Sequence, residues 1–230
     1  MAIIDINADM GEGAPNEREL LAHVTSASIA CGGHAGDAAS MSISIAACIE
    51  HGVRVGAHPS YPDRSNFGRR SIAMAPDELN KVVQEQIAAL REVALEHGCA
   101  VSYFKPHGAL YNDAASLESI AESLLQVSLQ LDLPIMLLAG SALESLASDL
   151  GTEYIREGFI DRRYHADGSL VARSDDDALI TDPSDAAAHA IVLAQMVDSL
   201  CIHSDTPGAP NIAAVARMEL ERAGHSIGVR

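Results

Sequence analysis

The residues best equipped for chemistry lie in short clusters, each just after an apolar run. The first is Asp9-Met10-Gly11-Glu12-Gly13, with Asn7 ahead of it. Two carboxylates at this spacing can relay protons or hold a cation, and the glycines permit close backbone approach; acid-rich turns without function are the plain alternative. The second, Cys31-Gly32-Gly33-His34-Ala35-Gly36-Asp37, lacks the spacing of a dinucleotide fingerprint, though its glycines suit an anion-binding nest. Cys31 beside His34 has the makings of a nucleophile pair, yet a small strand-end thiol is more often simply buried. Gly56-Ala57-His58-Pro59 and Lys105-Pro106-His107-Gly108 share a design: a strand ends, a cation or imidazole follows, and proline blocks the ladder. A lone histidine is usually structural, but two in matching strand-end positions point to acid–base work. Lys105 closes the apolar run 101–104, and a lysine so near a core calls for an anionic or carbonyl partner.

Paired arginines, Arg69-Arg70 and Arg162-Arg163, suggest guanidinium forks for a carboxylate or phosphate, with surface ion pairs as the alternative. For the second pair, Glu157 and Asp161 are near enough to consume both charges. His203 and Asp205 close the set after the last strong strand, the composition of an acid–base or metal site.

Elements that would position these groups follow from periodicity. Strands are expected at Ile3–Asn7, Ser26–Ala30, Arg54–Ala57, Val101–Phe104, Ile135–Leu138, Glu153–Ile155 and Leu200–Ile202. A long helix follows Pro76 with Leu79, Val83, Leu90 and Val93 on one face and Gly98 as its stop; Ser141, Ser184 and Asn211 mark further helix starts. Seven strand-helix units imply parallel pairing in one domain over residues 1–230, and favour an incomplete or irregular β/α barrel over an open doubly wound sheet. Residues 157–182 form the exception, a loop or hairpin excursion turning at Asp167-Gly168. In such barrels catalytic groups gather beyond the C-terminal strand ends, and all the predicted ends but the fifth carry ionisable residues: Asp63 joins His58 after the third, and Glu157, Asp161 and Arg162 follow the sixth.

Composition narrows the partners. With 15 Lys+Arg against 32 Asp+Glu and a formal charge of -17, docking on nucleic acid or an anionic membrane would oppose the chain's own field. Asp5 and Asp9 interrupt any N-terminal signal sequence, and four dispersed cysteines without a CxxC pair fit reduced thiols in the cytoplasm. No GxxxxGK[ST] loop is present to cradle a nucleotide.

In order, DINADMGEG, SIACGGHAGD, VGAHPSYPDR, NFGRR, KPHGALYN, EGFIDRRY and CIHSDTPGA resemble the LamB/YcsF family, the A subunit of ATP-dependent 5-oxoprolinase, from Asp5 to Ala209. The resemblance implies an irregular barrel of the glycoside hydrolase/deacetylase type, and opening of 5-oxoproline to L-glutamate coupled to hydrolysis of ATP, Mg accompanying the nucleotide. It also implies partner subunits B and C; self-association is a further option. Matching positions nominate Asp9, His58, Lys105, His107 and His203 for catalysis, and Asn7, Glu12, His34, Asp37 and Asp63 for substrate binding. Arg69, Arg70, Tyr111, Asn112, Asp161, Arg162 and Asp205 join the binding set. Departures are Ser28 for the family's usual Asn, Ser204 for Gly, Glu85 where Tyr is common, and a shortened stretch between Ile180 and Leu200 that bears on partner contacts. Two other readings keep the same mouth: a metal-dependent amidohydrolase or deacetylase with Asp9, His34, His58 and His203 as ligands, and a non-catalytic binding subunit.

Overall fold

The computed structural model describes residues 3–229; Met1, Ala2 and Arg230 lie outside the described residues. Its strands are β1 (Ile3–Met10), β2 (Ser26–Ala30), β3 (Arg54–His58), β4 (Ile135–Leu138), β5 (Tyr154–Phe159), β6 (Ser199–Ile202) and β7 (Ser226–Ile227). Its helices are α1 (Glu17–Leu20), α2 (Ala38–His51), α3 (Pro76–Glu96), α4 (Gly108–Ser116), α5 (Glu118–Leu131), α6 (Ala142–Leu150), α7 (Pro183–Leu193) and α8 (Ala209–Arg222). All strand pairs are parallel, in the order β3-β2-β1-β6-β5-β4, with β7 added to the start of β1. Phe104 closes the ring, bridging Ala57 of β3 on one side and Ile135 of β4 on the other. The expected strand at Val101–Phe104 is therefore a single bridging residue: Pro106 forbids extension forward, and Tyr103 is diverted into the barrel interior.

Side-chain parity along the strands separates two environments. Ile4, Ile6, Ala8 and Met10 of β1, with Ala27, Ile29, Val55, Ala57, Leu200 and Ile202, join the apolar layer under the helices. The opposite face of β1 presents Asp5, Asn7 and Asp9, all buried. The β1 side of the barrel interior is consequently polar, unlike the branched apolar filling usual in parallel barrels, while Leu138, Phe159 and Cys201 with Tyr111 form a small apolar cluster elsewhere. Gly56 makes room for the ring of Tyr103, with which a Cβ there would collide. Two strands run three or more residues farther than expected: β1 continues to Met10, so Asn7 and Asp9 are strand residues, and β5 reaches Phe159, which puts Glu157 inside a strand.

Helix α3 buries Leu79, Val83, Ile87, Leu90 and Ala94, matching the predicted face. Ser141 caps α6 by accepting from the Glu144 N–H, while the Glu144 carboxylate takes the Gly140 N–H. For α7 the cap is Asp182 rather than Ser184: Pro183 occupies the first helical position, and the Asp182 carboxylate accepts from the N–H groups of Ser184 and Asp185. Helix α8 starts at Ala209 rather than Asn211, with Pro210 in its first turn. The excursion after β5 is a hairpin, with antiparallel bridges Arg162–Leu179 and Tyr164–Leu170 around the Asp167-Gly168 turn. No helix among the described residues is long and apolar enough to cross a membrane, and all four cysteines are free thiols.

Candidate active site

Lys105 lies at the centre of the mouth, only 1% exposed. Its Nζ is 2.6 Å from Asp9 Oδ1 and 3.1 Å from Glu157 Oε1, and donates to Asn7 Oδ1 at 3.1 Å. Asn7 Nδ2 in turn donates to Glu157 Oε1 (2.9 Å) and Ser199 Oγ (2.8 Å), so three strands and the bridging segment meet on one ammonium. Burial alone would favour neutral lysine, but Asp9, Cys201 and Glu157 beside it push its pKa well above the ordinary value. Burial likewise opposes ionisation of Asp9, and His58 and Lys105 outweigh it, holding that carboxyl well below the usual range.

Beside this network, Glu12 Oε1 is 2.8 Å from His34 Nε2, 3.2 Å from His107 Nδ1 and 3.7 Å from His58 Nε2. His58 Nδ1 faces the Lys105 carbonyl at 2.8 Å, and His107 Nε2 faces the Phe67 carbonyl at 3.0 Å. His34 stacks on His107 with centroids 3.6 Å apart. Burial lowers the pKa of His34 to about 4 and lowers that of His107, more than Glu12 raises either, so both rings are neutral near pH 7.

Across the mouth, His203 Nδ1 contacts both oxygens of Asp161, at 3.1 and 3.0 Å. Asp161 also accepts from the His203 backbone N–H and, at 2.6 Å, from the Thr206 hydroxyl. Burial opposes its charge, but His203 and these hydrogen bonds hold its pKa below the ordinary value. A carboxylate fixed on Nδ1 leaves Nε2 as the imidazole's free base, the geometry of an oriented general base.

These groups border a cavity of about 660 Å³, lined among others by Asp9, Glu12, His58, Lys105, His107 and His203. Arg69, Arg162, Asp205, Tyr111 and Asn112 line it too. Asp205 holds the rim, bound by Arg173 through two bonds of 2.6 and 2.7 Å and by Arg69 at 3.2 Å. Arg162 donates to the Val171 carbonyl inside the hairpin. Asn7, His34 and Asp161 stand behind the lining as supports. Three candidates are not brought in: Asp37 caps α2 through Ser40, Asp63 caps the turn at residues 64–66 through Asn66, and Arg70 is exposed. The amidohydrolase ligand set Asp9, His34, His58 and His203 is divided, since one group of potential ligands is Glu12, His34, His58 and His107, and the other is Asp9, Cys201 and His203.

Residues 4–229 match the LamB/YcsF family profile. The chain belongs to the LamB/YcsF family. It is 42% identical to the 5-oxoprolinase A subunit of Bordetella pertussis, covering 97% of each chain, and 41% identical to that of Methylococcus capsulatus, covering 96% of this chain and 93% of the other. The alignment with the former spans 245 positions, more than the 230 residues here, so that relative carries additional residues within the matched region. Among solved structures, the lactam utilization protein of Thermus thermophilus superposes with a TM-score of 0.90 at 34% identity, over 99% of this chain and 100% of that one. A family 4 carbohydrate esterase of Streptomyces lividans shares the fold, with a TM-score of 0.55 and 13% identity over 99% and 92% of the chains.

Within this LamB/YcsF chain, two mouth residues escaped the nominated set. Glu157 is fully buried on Lys105 and Asn7, and Arg173 anchors the rim through Asp205. The sequence places Glu157 at a strand end but beside the arginines, and strand parity, two residues before Phe159, would have turned it inward; Arg173 has no local signal. Cys201, also inward, lies 3.4 Å from Lys105 Nζ, and burial raises its pKa well above normal despite that cation, so it is no ready nucleophile.

Proposed function

We infer that this chain is the A subunit of a 5-oxoprolinase, opening 5-oxoproline to L-glutamate with hydrolysis of ATP to ADP and phosphate, in the cytoplasm and together with subunits B and C. The observation that carries this reading is the match, over nearly the whole of both chains, to relatives bearing that name. The geometry supplies a matching chemistry. A five-membered lactam resists water because amide resonance weakens its carbonyl as an electrophile and the amine leaves poorly. Transfer of the γ-phosphoryl group to the amide oxygen, releasing ADP, removes the resonance and leaves a carbon that water can attack. His203, oriented by Asp161, takes the proton from that water, and Lys105 stabilises the negative charge of the transferred phosphoryl group; the C–N bond then breaks with protonation of nitrogen to leave an acyl phosphate, which a second water hydrolyses to the carboxylate and phosphate. Arg69 and Arg162 suit the substrate carboxylate.

The test is glutamate formation from 5-oxoproline with ATP and Mg, comparing this chain alone, the B and C subunits alone, and all three. Turnover only in the complete mixture is expected. Equal turnover by B and C without this chain would remove it from the reaction, and binding of 5-oxoproline without any effect of Lys105 or His203 substitution on turnover would make it a non-catalytic binding subunit.

A further inference from the structure

We propose that Glu12, His58 and His107 bind a divalent transition-metal ion of the zinc class, with His34 bracing Glu12 from behind and an open coordination position toward the cavity. The inference goes beyond the assignment of substrate and rests on proton placement. A carbonyl oxygen only accepts, so the ring nitrogens facing the Lys105 and Phe67 carbonyls, His58 Nδ1 and His107 Nε2, carry the protons. The other nitrogens, His58 Nε2 and His107 Nδ1, are then lone pairs, and they face each other at 3.0 Å. Glu12 Oε1 adds further lone pairs, 3.2 Å from His107 Nδ1 and 3.7 Å from His58 Nε2. Three acceptors converge with no donor between them.

A positive centre must reconcile them. One proton bridges one pair and leaves the third atom opposed, whereas a metal serves all three. The spacings of 3.0, 3.2 and 3.7 Å bracket the edge of about 3.4 Å that bonds of about 2.0–2.2 Å give in a tetrahedron. Both imidazoles also have the outward N–H···O=C anchor typical of metal-bound histidine. Phe67 reaches His107 at a φ of 56°, a costly conformation for a bulky residue, and a Cβ on the adjoining Gly68 would press on His34 and His107. His34 differs. Its Nδ1 is buried without an acceptor, which assigns its proton to Nε2 and makes it a donor to Glu12 at 2.8 Å rather than a ligand. It is also absent from the cavity lining, which Glu12, His58 and His107 all share. Two histidines, one carboxylate and a free position form the donor set of catalytic zinc sites.

The experiment uses the full chain, stripped with chelator and titrated with Zn²⁺ and with Co²⁺. Expected are one equivalent of tightly bound metal by elemental analysis after gel filtration, a Co²⁺ visible spectrum of four- or five-coordinate character, and a rise in Tm on loading. His58→Gln and His107→Gln should each weaken binding by more than about 100-fold and abolish the Tm response, while His34→Gln, which can still donate to Glu12, retains stoichiometric metal. Metal-free Tm values of all variants are measured first, so a misfolded variant is replaced by the corresponding Asn. No bound metal in the wild type overturns the proposal and leaves a shared proton between His58 and His107. Metal that persists in both Gln variants, or that is lost only when His203 is replaced, also overturns it by moving the ion to another group. None of these readouts depends on 5-oxoproline, so a chain that binds metal and fails the glutamate assay refutes the functional reading alone.

Discussion

The two ends of the barrel interior begin from the same strand face and finish differently. At the floor, Asp5 accepts hydrogen bonds from Thr25 (2.6 Å), Ser26 (2.7 Å) and Ser199 (2.6 Å) and pairs with Arg54 at 3.4 Å. Arg156 and Asp198 form a second closed pair beside a cavity of about 520 Å³. Donors and acceptors there balance. Four residues farther along β1, at Asp9, they do not: Glu157 Oε2 and His34 Nδ1 are buried without partners, and lone pairs of His58, His107 and Glu12 oppose one another. Buried polarity of the first kind positions strands, whereas the second kind persists only where a ligand, proton or ion completes it.

The largest expected effect breaks the mouth at its centre. Lys105→Met should lower turnover of the assembled enzyme by about two to three orders of magnitude. The structure adds a second loss, since Asp9 and Glu157 would be left uncompensated in the interior at a cost of about 3–5 kcal/mol. Lys105→Met/Glu157→Gln separates the two by removing one of those charges. Recovery of Tm without recovery of turnover is expected; restored turnover in the double variant would reduce Lys105 to a charge-balancing role.

Asp161→Asn probes the dyad with little change in shape. An amide nitrogen facing His203 Nδ1 would shift the imidazole proton to Nε2, removing the free base, while the amide oxygen can still accept from Thr206. Turnover should fall about 10²–10⁴-fold with a modest change in Tm. Near-normal rates across the pH range would show that His203 does not take the proton from water.

The chain's lettering revealed the barrel and most of the mouth, because strand ends marked by His58-Pro59 and Lys105-Pro106-His107 are local signals. Alternation in Asp5-Ile6-Asn7-Ala8-Asp9 also announced an inward polar face, though an early strand end at Asn7 obscured it. The sequence counts Glu157 among the strand-end residues but leaves it out of the site, its charge assigned to Arg162 and Arg163, because Arg156-Glu157-Gly158 resembles a loop until Lys105 and Asn7, distant in sequence, meet it. Asp37 and Asp63 erred in the other direction: each sits three residues before its hydrogen-bond partner, Ser40 or Asn66, and that local capping role engages Oδ1 of each carboxylate. The opposed lone pairs were invisible, since they depend on where two backbone carbonyls point.

A smaller effect should appear in the acid range. In metal-free protein, buried His34 titrates near 4 rather than 6.5, so between those values the unfolded chain holds a proton that the folded chain excludes. Stability therefore rises with pH across that window and is lost as pH falls from about 6.5 to about 4, by about 3 kcal/mol in all for this group. Denaturant midpoints measured with chelator present should show this slope, and His34→Gln should flatten it. An unchanged slope in the variant would assign the acid sensitivity to other groups.

The smallest effect on turnover is expected at the floor, and it tests the contrast most directly. Thr25 Oγ1 donates to Asp5 Oδ1 at 2.6 Å and accepts from the Ile6 N–H at 3.0 Å, so it ties β1 to the segment entering β2 without touching the mouth. Thr25→Val keeps the shape and deletes both bonds. Asp5 retains Ser26, Ser199 and Arg54, which limits the loss to about 1–3 kcal/mol, and Tm should drop by several degrees for a chain of this size. Turnover per folded molecule, measured well below the midpoint, should match wild type, as should the Co²⁺ spectrum. A fall in turnover at unchanged stability would mean that the floor tunes the mouth along β1, through Ser199, which hydrogen-bonds both Asp5 and Asn7. Ser199→Ala would then reproduce the defect, and the division between a structural floor and a reactive mouth would give way to one coupled network.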